Sequence, residues 1–442
     1  MSFSKNLNKH LYQIKKGGIK VIIKKIRTII FLTLKIPFFI ISIPSVIIIR
    51  LISPWILVRF GAIRSGRIGH FAKELELYLN DLDAGINISQ KKHIDFLFLK
   101  NKQIANKQLE KMWRRTLRIW PTFLLQPFYK TNQFMNIFLP NNSKHRINFT
   151  LRDYNNLLEK FKPHLKFTEQ EEADGQKFLQ NFGIQKNDKF VCLLVRDSGY
   201  LNRHQKYSNE DTSRWAYHSY RDGNIDRYVL AAEELAARGY YVFRMGGNVL
   251  KKFNLSNPKI IDYANLKIRS DFMDIYLGAK CTFCISTQAG FDEVPAIFRK
   301  PIAYVGVVPL ANLYSHNKDS LIIPRRHISK KTKKKLSISE IFYSNVSISF
   351  KSEEYDFNNV ELEENEPEEI RDLVIEMDER LKGIWKETEE EKILQNNFWS
   401  NFRKNCKKDD FQNYEKRHGI VHGEFASKVS LKFLKENKHL LD

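Results

Sequence analysis

Residues 281–308 read CTFCISTQAGFDEVPAIFRKPIAYVGVV. An apolar run, 281–285, ends in a loop of small residues. A helical pattern then covers 290–298, and a second apolar run, 301–308, follows at once. Strand, loop, helix and strand at this spacing predict a parallel pair joined by a crossover helix. Because the runs are continuous rather than alternating, both faces of the sheet are expected to be covered. Cys281 and Cys284 have the spacing of metal ligands. They lack a second pair and fall within one predicted strand, so they are expected in the core.

The alternation continues upstream. Asp271 to Leu277 reads as a helix, and Ile260 followed by Asp262 as a strand end. Tyr240 to Met245 is a strand closing at Gly246-Gly247, preceded by an amphipathic helix from Asp226 to Arg238 with Tyr228, Ala231, Ala232 and Leu235 on one side. Lys189 to Val195 (KFVCLLV) is another buried strand. A first α/β unit precedes these: a strand over 55–63, a helix with Phe71, Leu75, Leu79 and Leu82, a strand over 93–99 and a helix from Ile104 to about Ile119. The fold class is therefore α/β, with two Rossmann-like domains expected over 55–165 and 166–335. An amphipathic helix over 368–385 and an apolar stretch over 425–441 predict a helical tail, 336–442, packed back on them.

Charge separates the ends of the chain. Its 442 residues carry 73 Lys and Arg against 50 Asp and Glu, a net +23. No Asp or Glu precedes Glu74, whereas Glu361 to Glu369 is strongly acidic. A Lys-, Ile- and Asn-rich composition of the kind an AT-rich genome produces accounts for part of the excess, but it does not segregate charge. Residues 29–58, IIFLTLKIPFFIISIPSVIIIRLISPWILV, are apolar but interrupted by Lys35, Pro37, Pro44, Arg50 and Pro54. The longest uncharged run, 36–49, falls short of the ~20 residues a membrane span needs. Residues 1–54 thus read as a basic, apolar arm that lies on an anionic membrane surface or re-enters it. A buried helix hairpin is the alternative. Four cysteines exclude a disulfide scaffold and fit a reducing compartment.

Parallel sheets bind ligands beyond the carboxyl ends of their strands. The residues standing there are Arg64, Arg67 and His70; Arg196 and Asp197; Arg244 and Gly246; and Ser286, Thr287, Gln288 and Gly290. Arginines, hydroxyls and glycines recurring at that edge suit a polyanion, since guanidinium forks pair with phosphate oxygens and glycine admits close backbone approach. Glu293, one turn into the following helix, is placed to reach ribose hydroxyls; an ordinary acidic first helical turn is the alternative. His70 follows a glycine at a helix start and is the candidate base, with Asp197 second. His93, His164 and His422 have no comparable setting, and Asp81 and Asp83 read as a solvated loop. Neither a P-loop nor a GxGxxG fingerprint occurs.

The segments 59–70 (RFGAIRSGRIGH), 101–109, 195–201, 215–227 (WAYHSYRDGNIDR), 239–246 and 286–293 (STQAGFDE) resemble a family of bacterial glycosyltransferases of surface-polysaccharide (capsule and O-antigen) clusters. The resemblance implies a GT-B-like, heptosyltransferase-type layout. A nucleotide-sugar would bind the second domain, without cofactor or metal, and a lipid-linked or polysaccharide acceptor would enter beside it at the cytoplasmic face of the inner membrane. It implies that Arg196, Arg221, Arg244, Ser286, Thr287 and Gly290 hold the diphosphate. Ser-Thr-Gln-Ala-Gly stands where heptosyltransferase-like enzymes often carry an Asp-Thr/Ser-Gly core. A non-enzymatic binder of nucleic acid or anionic surfaces is the competing class for a charge of +23, and an inactive scaffold of the same family is a third. The arginines standing singly at strand ends, rather than interleaved with aromatics along one face, argue against nucleic acid.

Overall fold

The structure is a computed structural model. It describes residues 15, 18–19, 21–23, 25–27, 33, 36–86, 92–138, 143–197, 199, 219–247 and 249–442. Most of the expected arm before residue 36, and the 198–218 part of the resembling segments, lie outside the described residues.

The chain divides into two compact units that do not follow chain order: 1–64, 87–102 and 117–148 form one, and 65–86, 103–116 and 149–442 the other. The division differs from the sequential one expected at residue 165. Helices α2 (Ile68–Asp83) and α3 (Lys107–Thr116), expected to cover the first sheet, belong to the second unit.

The first unit holds a parallel three-stranded sheet of β1 (Ile56–Ile63), β2 (Lys92–Leu99) and β3 (Ile119–Trp120), in that order. Arg59 and Asp95 face each other in register and form a two-pronged ion pair, Nε to Oδ1 at 2.7 Å and Nη2 to Oδ2 at 2.6 Å. Two helices, α1 (Ile36–Leu51) and α4 (Thr122–Phe138), pack on one another in this unit.

The second unit is built on a seven-stranded, all-parallel sheet. Its strands are β4 (Phe190–Leu194), β5 (Tyr241–Arg244), β6 (Ile260–Ile261), β7 (Cys284–Ser286), β8 (Ile302–Val307), β9 (Leu321–Pro324) and, from the tail, β12 (Lys428–Val429). Their order is β12-β9-β8-β7-β4-β5-β6. A short antiparallel pair, β10 (Arg326–Ser329) and β11 (Val360–Glu363), stands apart. Val191, Leu193, Phe243, Ile285, Val305 and Ile322 are buried, as continuous apolar strands require. Cys192, Cys281 and Cys284 are buried free thiols within the same core.

The covering helices start where sequence signals place them. Thr168 and Glu171 form a reciprocal capping box on α5 (Glu169–Gln180), and the Ser270 hydroxyl caps α7 (Asp271–Lys280). Between β4 and β5 lies α6 (Val229–Ala237), preceded by a 3₁₀ turn over Ile225–Tyr228. After β7 comes a 3₁₀ turn, Gly290–Asp292, and then only the five-residue α8 (Glu293–Ile297). The tail is not purely helical. Besides α9 (Pro367–Leu381) and α10 (Glu389–Asn405) it supplies β11 and β12.

Candidate functional site

The strand order locates the site. From β4 the chain adds β5 and β6 on one side and then returns to lay β7, β8 and β9 on the other. The order therefore reverses between β4 and β7. At such a switch point the flanking loops diverge and leave a crevice beyond the carboxyl ends of the two strands. Arg196 follows β4, and Ser286-Thr287 ends β7.

These two segments are tied together. The Arg196 backbone N–H donates to Thr287 Oγ1 at 2.9 Å, and the Thr287 N–H donates to the Leu194 carbonyl at 3.2 Å. The Arg196 side chain pairs with Asp222 (Nη1 to Oδ1, 2.8 Å), while its carbonyl accepts from Gly223 N at 2.9 Å. The 220–223 turn is held in place by Arg325, which donates to the carbonyls of Tyr220 (2.7 Å) and Asp222 (2.8 Å). Burial pulls the Arg196 guanidinium below its ordinary range, and the charge of Arg221 adds to that pull. Burial likewise raises the Asp222 carboxyl, against the attraction of Arg196. Two guanidinium groups crowded by burial and mutual repulsion are stabilised by any anion that sits between them. Among the described residues, the half-buried Arg221 keeps its Nε without a hydrogen-bond partner.

Gly69, the residue before His70, meets the same loop. A methyl group placed on Gly69 would stand 2.9 Å from the Gly290 carbonyl oxygen, so the start of α2 rests directly on the partly exposed 288–290 turn. Gln288 adopts a left-handed φ of 54° in that turn. The His70 side chain is partly exposed, and its Nδ1 lies 2.7 Å from Oε1 of the buried Glu74. Donation from Nδ1–H to that carboxylate fixes the tautomer and leaves Nε2 as the acceptor. Glu74, one helical turn from His70, is a functional candidate that sequence reasoning missed; its i,i+4 spacing was the available signal.

Other candidates face inward. The Arg244 side chain, only 1% exposed, pairs with Asp262 (3.1 Å) and lies 3.9 Å from Asp197. Asp197 accepts from Gly199 N and Leu250 N, both at 2.9 Å, so its two oxygens shape loops. Gly246, at φ 151°, makes the turn after β5; a methyl group there would lie 2.6 Å from Val249 Cγ1. The Ser286 hydroxyl is buried and donates to Asp292 Oδ2 at 2.8 Å. Burial and the neighbouring Glu293 push the Asp292 carboxyl well above the carboxylate range.

Glu293, expected to face a ribose, is buried and engaged by protein side chains. Its Oε1 accepts from the Tyr314 hydroxyl (2.8 Å), and its Oε2 lies 2.9 Å from Nζ of Lys73, which is wholly buried on α2 and sits over the Tyr314 ring. The expected helix N-terminal cradle is replaced by a 3₁₀ turn and a helix too short to build a dipole. Arg64 closes β1 in the first unit, and Arg67 precedes α2 in the second; both are exposed. The residues brought together at the switch point are Arg196, Thr287, Gln288, Gly290 and the 220–223 turn, with Gly69, the neighbour of His70, against Gly290.

No family model matches the chain, and no curated protein matches it significantly. Among solved structures, the crystal structure of the glycosyl transferase family 9 from Veillonella parvula DSM 2008 is similar over 57% of this chain and 80% of that one, at 10% identity and a TM-score of 0.31. A likeness at that level carries no argument about this chain.

Proposed function

We propose that the protein is a glycosyltransferase using a nucleotide-sugar donor. The observation carrying this reading is the joining of Arg196, Thr287 and the Arg221 turn at the switch point, with a carboxylate-oriented histidine on the neighbouring turn. Breaking a glycosidic phosphoester bond leaves growing negative charge on the departing diphosphate. Fixed guanidinium groups at Arg196 and Arg221, with the backbone of 287–290, stabilise that charge without reorganising. His70 Nε2 accepts the proton of the attacking acceptor hydroxyl, and Glu74 stabilises the imidazolium that results. This chemistry requires no bound metal.

The acceptor we favour is a lipid-linked glycan of bacterial surface-polysaccharide synthesis, met by a peripheral enzyme at the cytoplasmic leaflet. The basic, apolar N-terminal segment supports it. Thermal-shift screening against nucleoside diphosphates and nucleotide-sugars tests the donor. A ligand at 100 times its Kd adds about 2.7 kcal/mol to the native state and raises Tm. The shift is expected to vanish in Arg196→Ala and to shrink in Arg196→Lys. A panel that leaves the native chain's Tm unmoved defeats the proposal.

A further inference from the structure

Helices α1 and α4 of the first unit expose most of their large apolar side chains. Beside Val46 and Leu125, they bury a set of polar side chains. Ser42 and Thr131 share a buried hydroxyl–hydroxyl contact of 2.7 Å, and Arg50 Nη2 donates to the side chains of Asn132 (2.9 Å) and Asn136 (2.6 Å). Outward, on α1, stand Ile36, Ile40, Ile43, Ile47 and Leu51, spaced four, three, four and four residues apart and therefore one continuous stripe. Phe134 and Ile137 do the same on α4, 61% and 72% exposed, and Trp55 just beyond α1 is 73% exposed. Water-facing helices carry the opposite pattern. Polar side chains bonded across the pair beneath an apolar exterior are what helix pairs adopt where the surroundings are hydrocarbon.

The charges fit one surroundings in particular. Neither helix carries an Asp or Glu. At the Arg50 end, Arg50, Lys144 and His145 lie close enough for the two cations to depress the imidazole, although burial depresses it more. The partners of this group are all neutral. Lys144 donates to Ser53 Oγ, His145 Nδ1 meets the Val58 carbonyl, and Arg50 Nε, Arg50 Nη1 and His145 Nε2 have no hydrogen-bond partner among the described residues. Farther toward the N-terminus, exposed Ile19, Ile22, Ile23 and Ile26 repeat the helical stripe beside Lys15 and Arg27. A cationic cluster without a carboxylate, at the edge of an apolar face, matches an anionic headgroup layer over acyl chains.

We infer that the α1–α4 pair is the membrane-docking face of the protein, sunk to the acyl boundary of an anionic leaflet with Arg50 and Lys144 at headgroup phosphates. This rests on the membrane half of the reading above and extends it from the N-terminal arm to a second helix 70 residues away; sugar transfer plays no part in it. Helix α1 has 16 residues and a length of about 24 Å, less than the ~30 Å hydrocarbon core, so it lies in the interface. No described helix is long and apolar enough to cross a membrane.

Flotation of the full chain with phosphatidylglycerol/phosphatidylcholine vesicles, and with phosphatidylcholine alone, tests the inference. The native chain is expected to float with the anionic vesicles. Ile40→Glu/Ile47→Glu and Phe134→Glu/Ile137→Glu should each lower the partition coefficient about tenfold or more, with Tm and any nucleoside-diphosphate shift unchanged. Lys144→Glu should weaken binding to anionic vesicles alone. Native-like flotation of Phe134→Glu/Ile137→Glu would overturn the two-helix face while leaving a membrane-bound arm. A chain that ignores both vesicle types, or that forms a dimer dissolved by these substitutions, would overturn it outright. None of these results bears on the nucleotide test.

Discussion

At the scale of single residues, the site separates side chains that serve the fold from those available to a ligand. His70 and Glu74 make the sharpest case. If Nε2 takes the acceptor proton, His70→Gln should lower turnover by roughly 10²- to 10⁴-fold, while a nucleotide-induced Tm shift persists. Glu74→Gln should do less and move the pH profile, because it removes orientation rather than the base. Both are read by single-turnover assays once a donor is in hand. His422 is a contrasting histidine. Its Nε2 donates to the Ala311 carbonyl (2.8 Å), Ser315 Oγ sits 2.9 Å from Nδ1, and burial pushes its pKa down to about 3. A depressed histidine is neutral when folded and protonated when unfolded between its two pKa values, so it removes stability as pH falls through the ordinary range toward 3. Urea unfolding between pH 7 and pH 4 should show that loss, and His422→Gln should flatten it. Little of this was legible in the sequence. A histidine after a glycine at a helix start was readable, but the burial that silences His422 depends on contacts made far along the chain.

At the scale of elements, α2, which carries His70, is docked on the turn after β7. The contact has two parts: the close approach of Gly69 to Gly290, and the buried pair of Lys73 and Glu293. Gly69→Ala forces a methyl group against backbone and should cost about 1–3 kcal/mol, measured by denaturant unfolding. Lys73→Met alone leaves a buried carboxylate without its cation and should cost about 3–5 kcal/mol. Adding Glu293→Gln should recover much of that, since removing both charges is far cheaper than removing one. If the double variant is as unstable as the sum of the singles, the two side chains act independently. Periodicity found α2 from Phe71 and Leu75, yet it gave Lys73 no role and Glu293 was read as ligand-facing, because a charged residue on a helix gives no local sign that its partner waits on another element. The β7 run was read three residues early. Pairing does begin there, with Thr282 N on the Phe190 carbonyl, but the regular ladder starts at Cys284. The shortness of α8 was hidden by a helical pattern that Pro295 and the 3₁₀ turn cut down.

At the scale of the molecule, the alternation of strands and helices was enough to give the α/β class and the parallel sheet, because the buried strands β4, β5, β7 and β8 announce themselves by composition. It could not give the strand order, and it could not show that the last residues complete the sheet. Strand β12 has two residues, too few to carry a pattern, and it pairs in parallel with β9 across about a hundred residues of chain. Its hold comes from specific contacts. Ser430 N donates to the Ile322 carbonyl at 3.1 Å, and the buried Glu376 of α9 accepts from both Ser430 Oγ and Leu431 N at 2.9 Å. Leu431, Phe433, Leu434 and Leu440 are then buried behind it. Four such side chains contribute roughly 6–12 kcal/mol of burial, comparable with the whole net stability of a domain. Removing 428–442 should therefore abolish cooperative unfolding of the second unit and with it any nucleotide-induced shift, although every candidate site residue remains in the chain. Circular dichroism melts of the full and shortened chains decide it. A shortened chain that melts cooperatively within a few degrees of the full one would mean that the sheet needs no seventh strand, and that the tail is an appendage rather than part of the scaffold that holds the switch point.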